Sequence, residues 1–151
     1  MNNTGIIILA AGSSSRFGNT KQLLHFNGTT LLQHAIQEAT EAGAEPIVVV
    51  TGANADEVSK EIKSEKAEIV FNKDWEQGIA SGIVIGLKMV ITLDNKIEKV
   101  IIAVCNQPLF HHHYFNSYIK SNMKAQSILS LVPMLILSVL RRFSRKTILM
   151  F

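Results

Sequence analysis

The densest chemistry in the sequence lies between Leu9 and Leu24, Leu-Ala-Ala-Gly-Ser-Ser-Ser-Arg-Phe-Gly-Asn-Thr-Lys-Gln-Leu-Leu. Small residues in a row let backbone N–H groups approach an anion closely, forming a nest for a polyphosphate. Arg16 adds a planar fork for phosphate oxygens, and Lys21 adds a compact point charge on a long stem. Two cations on a Gly/Ser loop suit reactions in which negative charge gathers on phosphorus. The common phosphate fingerprints are absent. There is no G-x-G-x-x-G, and Gln22 follows Lys21 where a P-loop needs Ser or Thr. An exposed turn carrying two surface cations is the competing reading at this level.

Other reactive side chains carry less. His111, His112 and His113 are adjacent and point in different directions, so a solvated helix start fits them better than a metal site. Cys105 ends an apolar run and reads as a core residue rather than a nucleophile. His25 and His34 read as surface or half-buried residues, and Trp75 as a cap on the core rather than a stacking partner for a base. The basic run Arg141–Lys146 reads as a solvated end.

The elements that must position the first loop are strands alternating with helices. Ile6–Ala10 is a short, continuous apolar run, consistent with a strand buried on both faces, and Ile47–Val50, Glu68–Asn72 and Lys99–Cys105 read as three further short strands. Leu31, Leu32, Ala35, Ile36 and Ala39 recur at helical spacing, with Gly43 as C-terminal cap and Pro46 beyond it. Asp56–Lys66 and Ile79–Ile91 are two further helices. This order predicts βαβ units and a mostly parallel α/β sheet, with ligands bound beyond the carboxyl ends of the strands. Loop 11–21, Gly52, Asn72 and Asn106 all fall at such ends.

Composition limits the alternatives. The chain has 151 residues, 47% of them hydrophobic, enough for one domain with a sizeable core. A single cysteine excludes a disulfide framework, and the N-terminus lacks the basic region of a signal peptide, so a cytoplasmic setting is expected. The net charge of +3 is unevenly spread: residues 1–110 carry nine Lys/Arg and twelve Asp/Glu, residues 111–151 six Lys/Arg and no acid. An acidic body without a basic aromatic face argues against nucleic acid as a partner. The apolar run after Ser127 contains Pro133 and is shorter than the roughly 20 residues of a membrane span.

The segment L-A-A-G-x-S-x-R-x-G-x-x-K-Q is similar to the signature of the MobA-like nucleotidyltransferases. Its extension K-Q-L-L-x-x-x-G-x-x-L-L-x-H most resembles the molybdenum cofactor cytidylyltransferase branch. Val49-Val50-Thr51-Gly52, the stretch Asn72–Ser81 and Asn106-Gln107-Pro108-Leu109 agree in order and spacing, so the resemblance runs from about Ile6 to about Tyr118. It implies a three-layer Rossmann-like sheet and transfer of CMP or GMP from CTP or GTP, with Mg²⁺, to a phosphorylated acceptor such as molybdopterin. By the same resemblance Leu9, Ala10 and Ala11 line the base pocket, and Gly12 and Ser13 cradle the triphosphate with Arg16 and Lys21. Gly52, Asn72, Gly78, Ala80 and Ser81 close around base and ribose.

Two departures qualify that expectation. The family places an Asp on the metal where this chain has Asn106, and a neutral amide offers Mg²⁺ one oxygen and no charge. The family also continues beyond residue 151, with a substrate-binding region and a further acidic ligand. The expected division is therefore a nucleotidyltransferase-like domain over 1–125, incomplete at its C-terminal side, and an atypical apolar and basic tail over 126–151. Read one nucleotide out of register, the codons of Pro133–Ser138 can give Tyr-Ala-Asn-Thr-Phe-Gly, similar to the family's next segment. A change of reading frame near codons 125–133 is thus expected, and the gene sequence tests it. Two functions remain open at this point: an active nucleotidyltransferase, or an inactive remnant that keeps weak NTP binding.

Overall fold

The structure is a computed structural model and describes residues 3–13, 20–105 and 147–150. Five parallel strands form one sheet: β1 (Thr4–Ala10), β4 (Ile47–Thr51), β5 (Ala67–Phe71), β6 (Lys99–Val104) and β7 (Thr147–Met150), in the order β5-β4-β1-β6-β7. Central β1 pairs with both β4 and β6, and Ile6 faces Ile47 on one side and Ile101 on the other. All seven residues of β1 are buried. Alternation explains why so short a run needs no polar face. Ile6, Ile8 and Ala10 join one cluster with Leu32, Ala35, Ile36 and Val58. Ile7 and Leu9 join another with Ile83, Leu87 and Val90.

These clusters define three layers. Helices α1 (Leu31–Glu41) and α2 (Ala55–Glu61) cover one face, and α3 (Ile79–Leu93) covers the other. The expected α/β Rossmann-like architecture is thereby present. Helix α1 begins on a capping box: Thr30 Oγ1 accepts from the Gln33 backbone N–H at 3.2 Å, and the Thr30 N–H donates to Gln33 Oε1 at 3.4 Å. It ends before Gly43, whose φ of +70° is the left-handed conformation expected of a cap glycine. Helix α3 lies unusually close to the sheet, because a Cβ on Gly86 would stand 2.7 Å from Ile7 Cγ2.

Three local differences from the sequence expectation have physical causes. Residues 25–30 form a small hairpin, β2 (His25–Phe26) with β3 (Thr29–Thr30), turned by Asn27 and Gly28 at positive φ. Helix α2 stops at Glu61 rather than near Lys66, because Ile62 takes an extended conformation and packs against the α1-side cluster. The tail, given no strand by the sequence reading, supplies β7, which pairs in parallel with β6 from Lys99 to Ile102. His25 is exposed and His34 half-buried, as expected. The stretch 106–146, with the triple histidine and the Ser127–Leu140 run, lies outside the described residues. Among the described residues no helix is long and apolar enough to cross a membrane.

The topology also locates the ligand crevice. From β1 the chain proceeds outward through α1 to β4 and then β5, and returns through α3 to β6 on the other side of β1. The order reverses between β1 and β6, and the crevice of such a sheet opens at that point, beyond the carboxyl ends.

Candidate functional site

A cavity of about 220 Å³ opens at that reversal, lined by Leu9, Ala11 and Gly12 from the end of β1 and by Val104 from the end of β6. Trp75, Gly78, Ile79 and Gly82, at and before the start of α3, supply the opposite wall. The lining is largely aliphatic and aromatic, suited to the faces of a planar ring. Strand alternation decides which motif residues reach it. Leu9 and Ala11 lie on the α3 side, whereas Ala10 belongs to the α1-side cluster and contributes its carbonyl oxygen instead.

Glycines shape this wall. Gly78 has φ of +89° and precedes α3, a conformation that side-chain-bearing residues rarely adopt. A Cβ on Gly82 would meet Leu9 Cδ2 at 3.3 Å. Gly52 is tighter: its Cβ would stand 2.6 Å from the Ala11 carbonyl oxygen and 2.7 Å from Trp75 Cβ. The Ala53 N–H also donates to Ala11 O at 3.3 Å, so the β4 end, the β1 loop and Trp75 meet at one junction. Beyond it lies a second hollow of about 400 Å³, lined by residues 52–57 with Phe71 and Trp75. Trp75 is therefore a wall shared by two hollows, not the core cap expected from sequence.

Asn72 and Ser81 come together, but as a brace. Asn72 is buried; its Nδ2 donates to Ser81 Oγ at 2.8 Å, and its Oδ1 accepts from the Asp74 N–H at 3.1 Å. Ser81 Oγ in turn lies 2.8 Å from both the Asp74 and Gly78 carbonyl oxygens, between which its one proton is shared. These bonds hold the turn that presents Trp75 and Gly78. Ala80 is half-buried and, like Asn72 and Ser81, lines neither hollow.

On the phosphate side, Gly12 and Ser13 are exposed at the crevice mouth. Lys21 opens a short 3-10 turn, Lys21–Leu23. Its neighbour Gln22 is buried, and its Nε2 donates to Ala10 O at 3.2 Å and Gly12 O at 3.0 Å. The sequence reading assigned Gln22 no role. Its signal there is its place after Lys21 in the K-Q pair of the motif. Arg16 and Asn106 lie outside the described residues. Cys105 is buried, and desolvation pushes its thiol up to about 12, so it is no nucleophile at neutral pH.

Mg²⁺ sites combine one or two carboxylates with substrate phosphates. Among the described residues no three His, Cys, Asp or Glu side chains converge as a metal cage. Asp56 and Glu57 border the second hollow. The described donors do not make a preformed metal site.

The MobA-like NTP transferase domain matches residues 6–130. The chain belongs to this family. The chain is 33% identical over 103 residues to the nicotine blue oxidoreductase of Paenarthrobacter nicotinovorans, covering 68% of this chain and 48% of that protein. It is 28% identical over 109 residues to a probable molybdenum cofactor guanylyltransferase of Bacillus cereus (strain G9842), covering 72% and 52%. The chain thus spans about half the length of these two relatives. Among solved structures, Rv0371c of Mycobacterium tuberculosis H37Rv superposes with a TM-score of 0.69 at 26% identity, over 77% of this chain and 58% of that one. A manganese complex of Rv0371c superposes at 0.59 with 20% identity, over 77% and 56%. A nucleotidyl transferase of Methanothermobacter thermautotroptrophicus (Mth528) superposes at 0.72 with 20% identity, over 83% and 60%, so the fold is nucleotidyltransferase-like α/β, and the manganese complex shows a divalent cation with one similar protein.

Proposed function

We propose that this chain binds CTP or GTP and transfers the nucleotidyl group to a phosphorylated small-molecule acceptor, molybdopterin being the acceptor most in keeping with its motifs. The supporting observation is the 220 Å³ cavity at the β1/β6 reversal, with Leu9, Ala11, Gly12 and Gly78 on its walls. The base lies between Leu9 and Ala11 on one side and Trp75 and Ile79 on the other. Gly12 and Ser13 offer backbone N–H groups to the phosphates, and Lys21 and Arg16 hold the charge that gathers there. An oxygen of the acceptor's phosphate forms the new bond at the α-phosphorus. The bond to the β-phosphate breaks, and pyrophosphate leaves with the electron pair. The protein's share is alignment and charge stabilisation. A divalent cation, if carried on the triphosphate, would add charge stabilisation there, and Asn106 is the residue that would offer it a neutral oxygen. A cytoplasmic setting, where NTPs are available, belongs to the same proposal.

The test measures Mg²⁺-dependent pyrophosphate release from CTP and GTP, with molybdopterin, by the chain and by Asn106→Asp. Asn106→Asp is expected to release pyrophosphate from one nucleotide, and the unaltered chain to do so more slowly. Asn106 supports a second reading, nucleotide binding without turnover, which saturable binding with no release by the unaltered chain would establish. No binding and no release by either protein rejects both.

A further inference from the structure

Lys21 lies between two anchored residues. On one side, Thr20 Oγ1 donates to Glu57 Oε2 at 2.8 Å and accepts from Asn54 Nδ2 at 3.0 Å, both at the corner between β4 and α2. On the other, the buried Gln22 amide donates to the Ala10 and Gly12 carbonyl oxygens at the end of β1. The turn between them closes on itself, with the Leu23 N–H donating to Thr20 O at 2.9 Å. The Lys21 backbone therefore cannot shift without breaking a bond to β1's end or to the β4–α2 corner. The Thr20 contact spans 37 residues of sequence and is solvent-exposed.

We propose that Thr20 and Gln22 are positioning residues for Lys21, tying its turn to two separate strand ends so that the cation meets the triphosphate without prior ordering of the loop. The inference rests on the nucleotide reading above and assigns roles that reading does not need. Ordering a Gly/Ser loop around a ligand draws on binding free energy, and a turn held in advance avoids that cost. Glu57 and Asn54 are the partners that make Thr20 an anchor, and the carboxylate makes its bond the stronger of the two.

The position of Trp75 supplies the readout. It is the single tryptophan, and it borders the cavity assigned to the base. Its emission is titrated with CTP, GTP and the matching nucleosides in the full chain. The variants are Thr20→Val, Thr20→Ser and Lys21→Met, with Thr20→Val also made in the Lys21→Met background. Thr20→Val is expected to weaken triphosphate binding about tenfold, the scale of one lost charge-assisted hydrogen bond. Thr20→Ser restores it, nucleoside binding is unchanged throughout, and Thr20→Val adds nothing once Lys21 is Met. Thermal unfolding monitors the fold, and an exposed hydrogen bond contributes little there. An equal loss with and without Lys21, or an equal loss for nucleosides, overturns the inference. Failure of the unaltered chain to respond to either NTP overturns the nucleotide reading itself, and the inference falls with it.

Discussion

The two sides of the crevice are built by different physics. The wall facing α3 is fixed by backbone closeness and conformation: Gly52 meets the Ala11 backbone and Trp75 at distances that a side chain would forbid, Gly82 sits tight against Leu9, and Gly78 takes a φ of +89°. The side carrying Lys21 is fixed by directed hydrogen bonds from Thr20 and Gln22 to carbonyl, carboxylate and amide partners. A sterically defined wall fails abruptly, since a single added methyl has nowhere to go. A hydrogen-bonded clamp fails by degrees, since water can replace a lost partner at an exposed site. The wall thus sets shape and the clamp sets charge position.

The comparison breaks most visibly at Gly52. Gly52→Ala places a methyl carbon at 2.6 Å from a backbone oxygen and at 2.7 Å from Trp75 Cβ, neither of which is the free end of a flexible chain. The expected loss is about 3 kcal/mol of stability, the upper part of the range for overpacking. Urea denaturation measures it, and a shift in Trp75 emission in the native baseline reports the displaced indole. A variant as stable as the parent, with unchanged emission, would show that the junction is looser than 2.6 Å implies.

Asn72 joins both kinds of construction, being a buried hydrogen-bonding group that supports the steric wall. Asn72→Ala removes the donor to Ser81 and the acceptor for the Asp74 N–H. About 2 kcal/mol is expected, within the range for stranding buried polar partners. Gly78 and Trp75 then lose their brace, so NTP affinity falls with stability. Ser81→Ala removes one spoke and should cost less, since the Asp74 and Gly78 carbonyls it serves are near solvent. The contrast in unfolding midpoint between these variants separates a brace from a ligand contact. If Ser81→Ala abolishes NTP binding while leaving stability intact, Ser81 touches the nucleotide directly.

The same division explains what was legible in the sequence. The strands β1, β4 and β6 were, because burial on both faces turns each into an unbroken apolar run such as Ile6–Ala10. Leu9, Ala11 and Gly12 were legible as a pocket edge because a motif marks them, but only alternation shows that Ala10 turns away. The hairpin at residues 25–30 was missed, although Asn27-Gly28 is a strong turn signal, because strands of two residues carry no periodicity. Strand β7 was missed because it needs β6 beside it to be a strand at all. The Thr20–Glu57 contact joins residues 37 apart, and no local pattern encodes it. Trp75 became a shared wall only through the approach of Gly52 to Ala11.

The smallest expected effect lies just behind the crevice, at Cys105. The thiol packs in the aliphatic α1-side cluster beside Ile8, Ala10 and Ala103, and burial pushes it from its ordinary 9.0 up to about 12. Below pH 9 the thiol is protonated both folded and unfolded, and nothing is lost. Between about 9 and about 12 the unfolded chain gives up the proton while the folded chain keeps it, so stability falls as pH rises. The slope from this one group approaches about 1.4 kcal/mol per pH unit at most. Other groups titrate in the same window, so the measurement is a difference. Urea unfolding of the chain and of Cys105→Ala at pH 8 and pH 10.5 should show a steeper loss in the parent. The native thiol should also resist alkylation at pH 8 until denaturant is added. Equal slopes, or rapid labelling of the native chain, would place Cys105 on the open side of the crevice with the loop rather than behind it with the core.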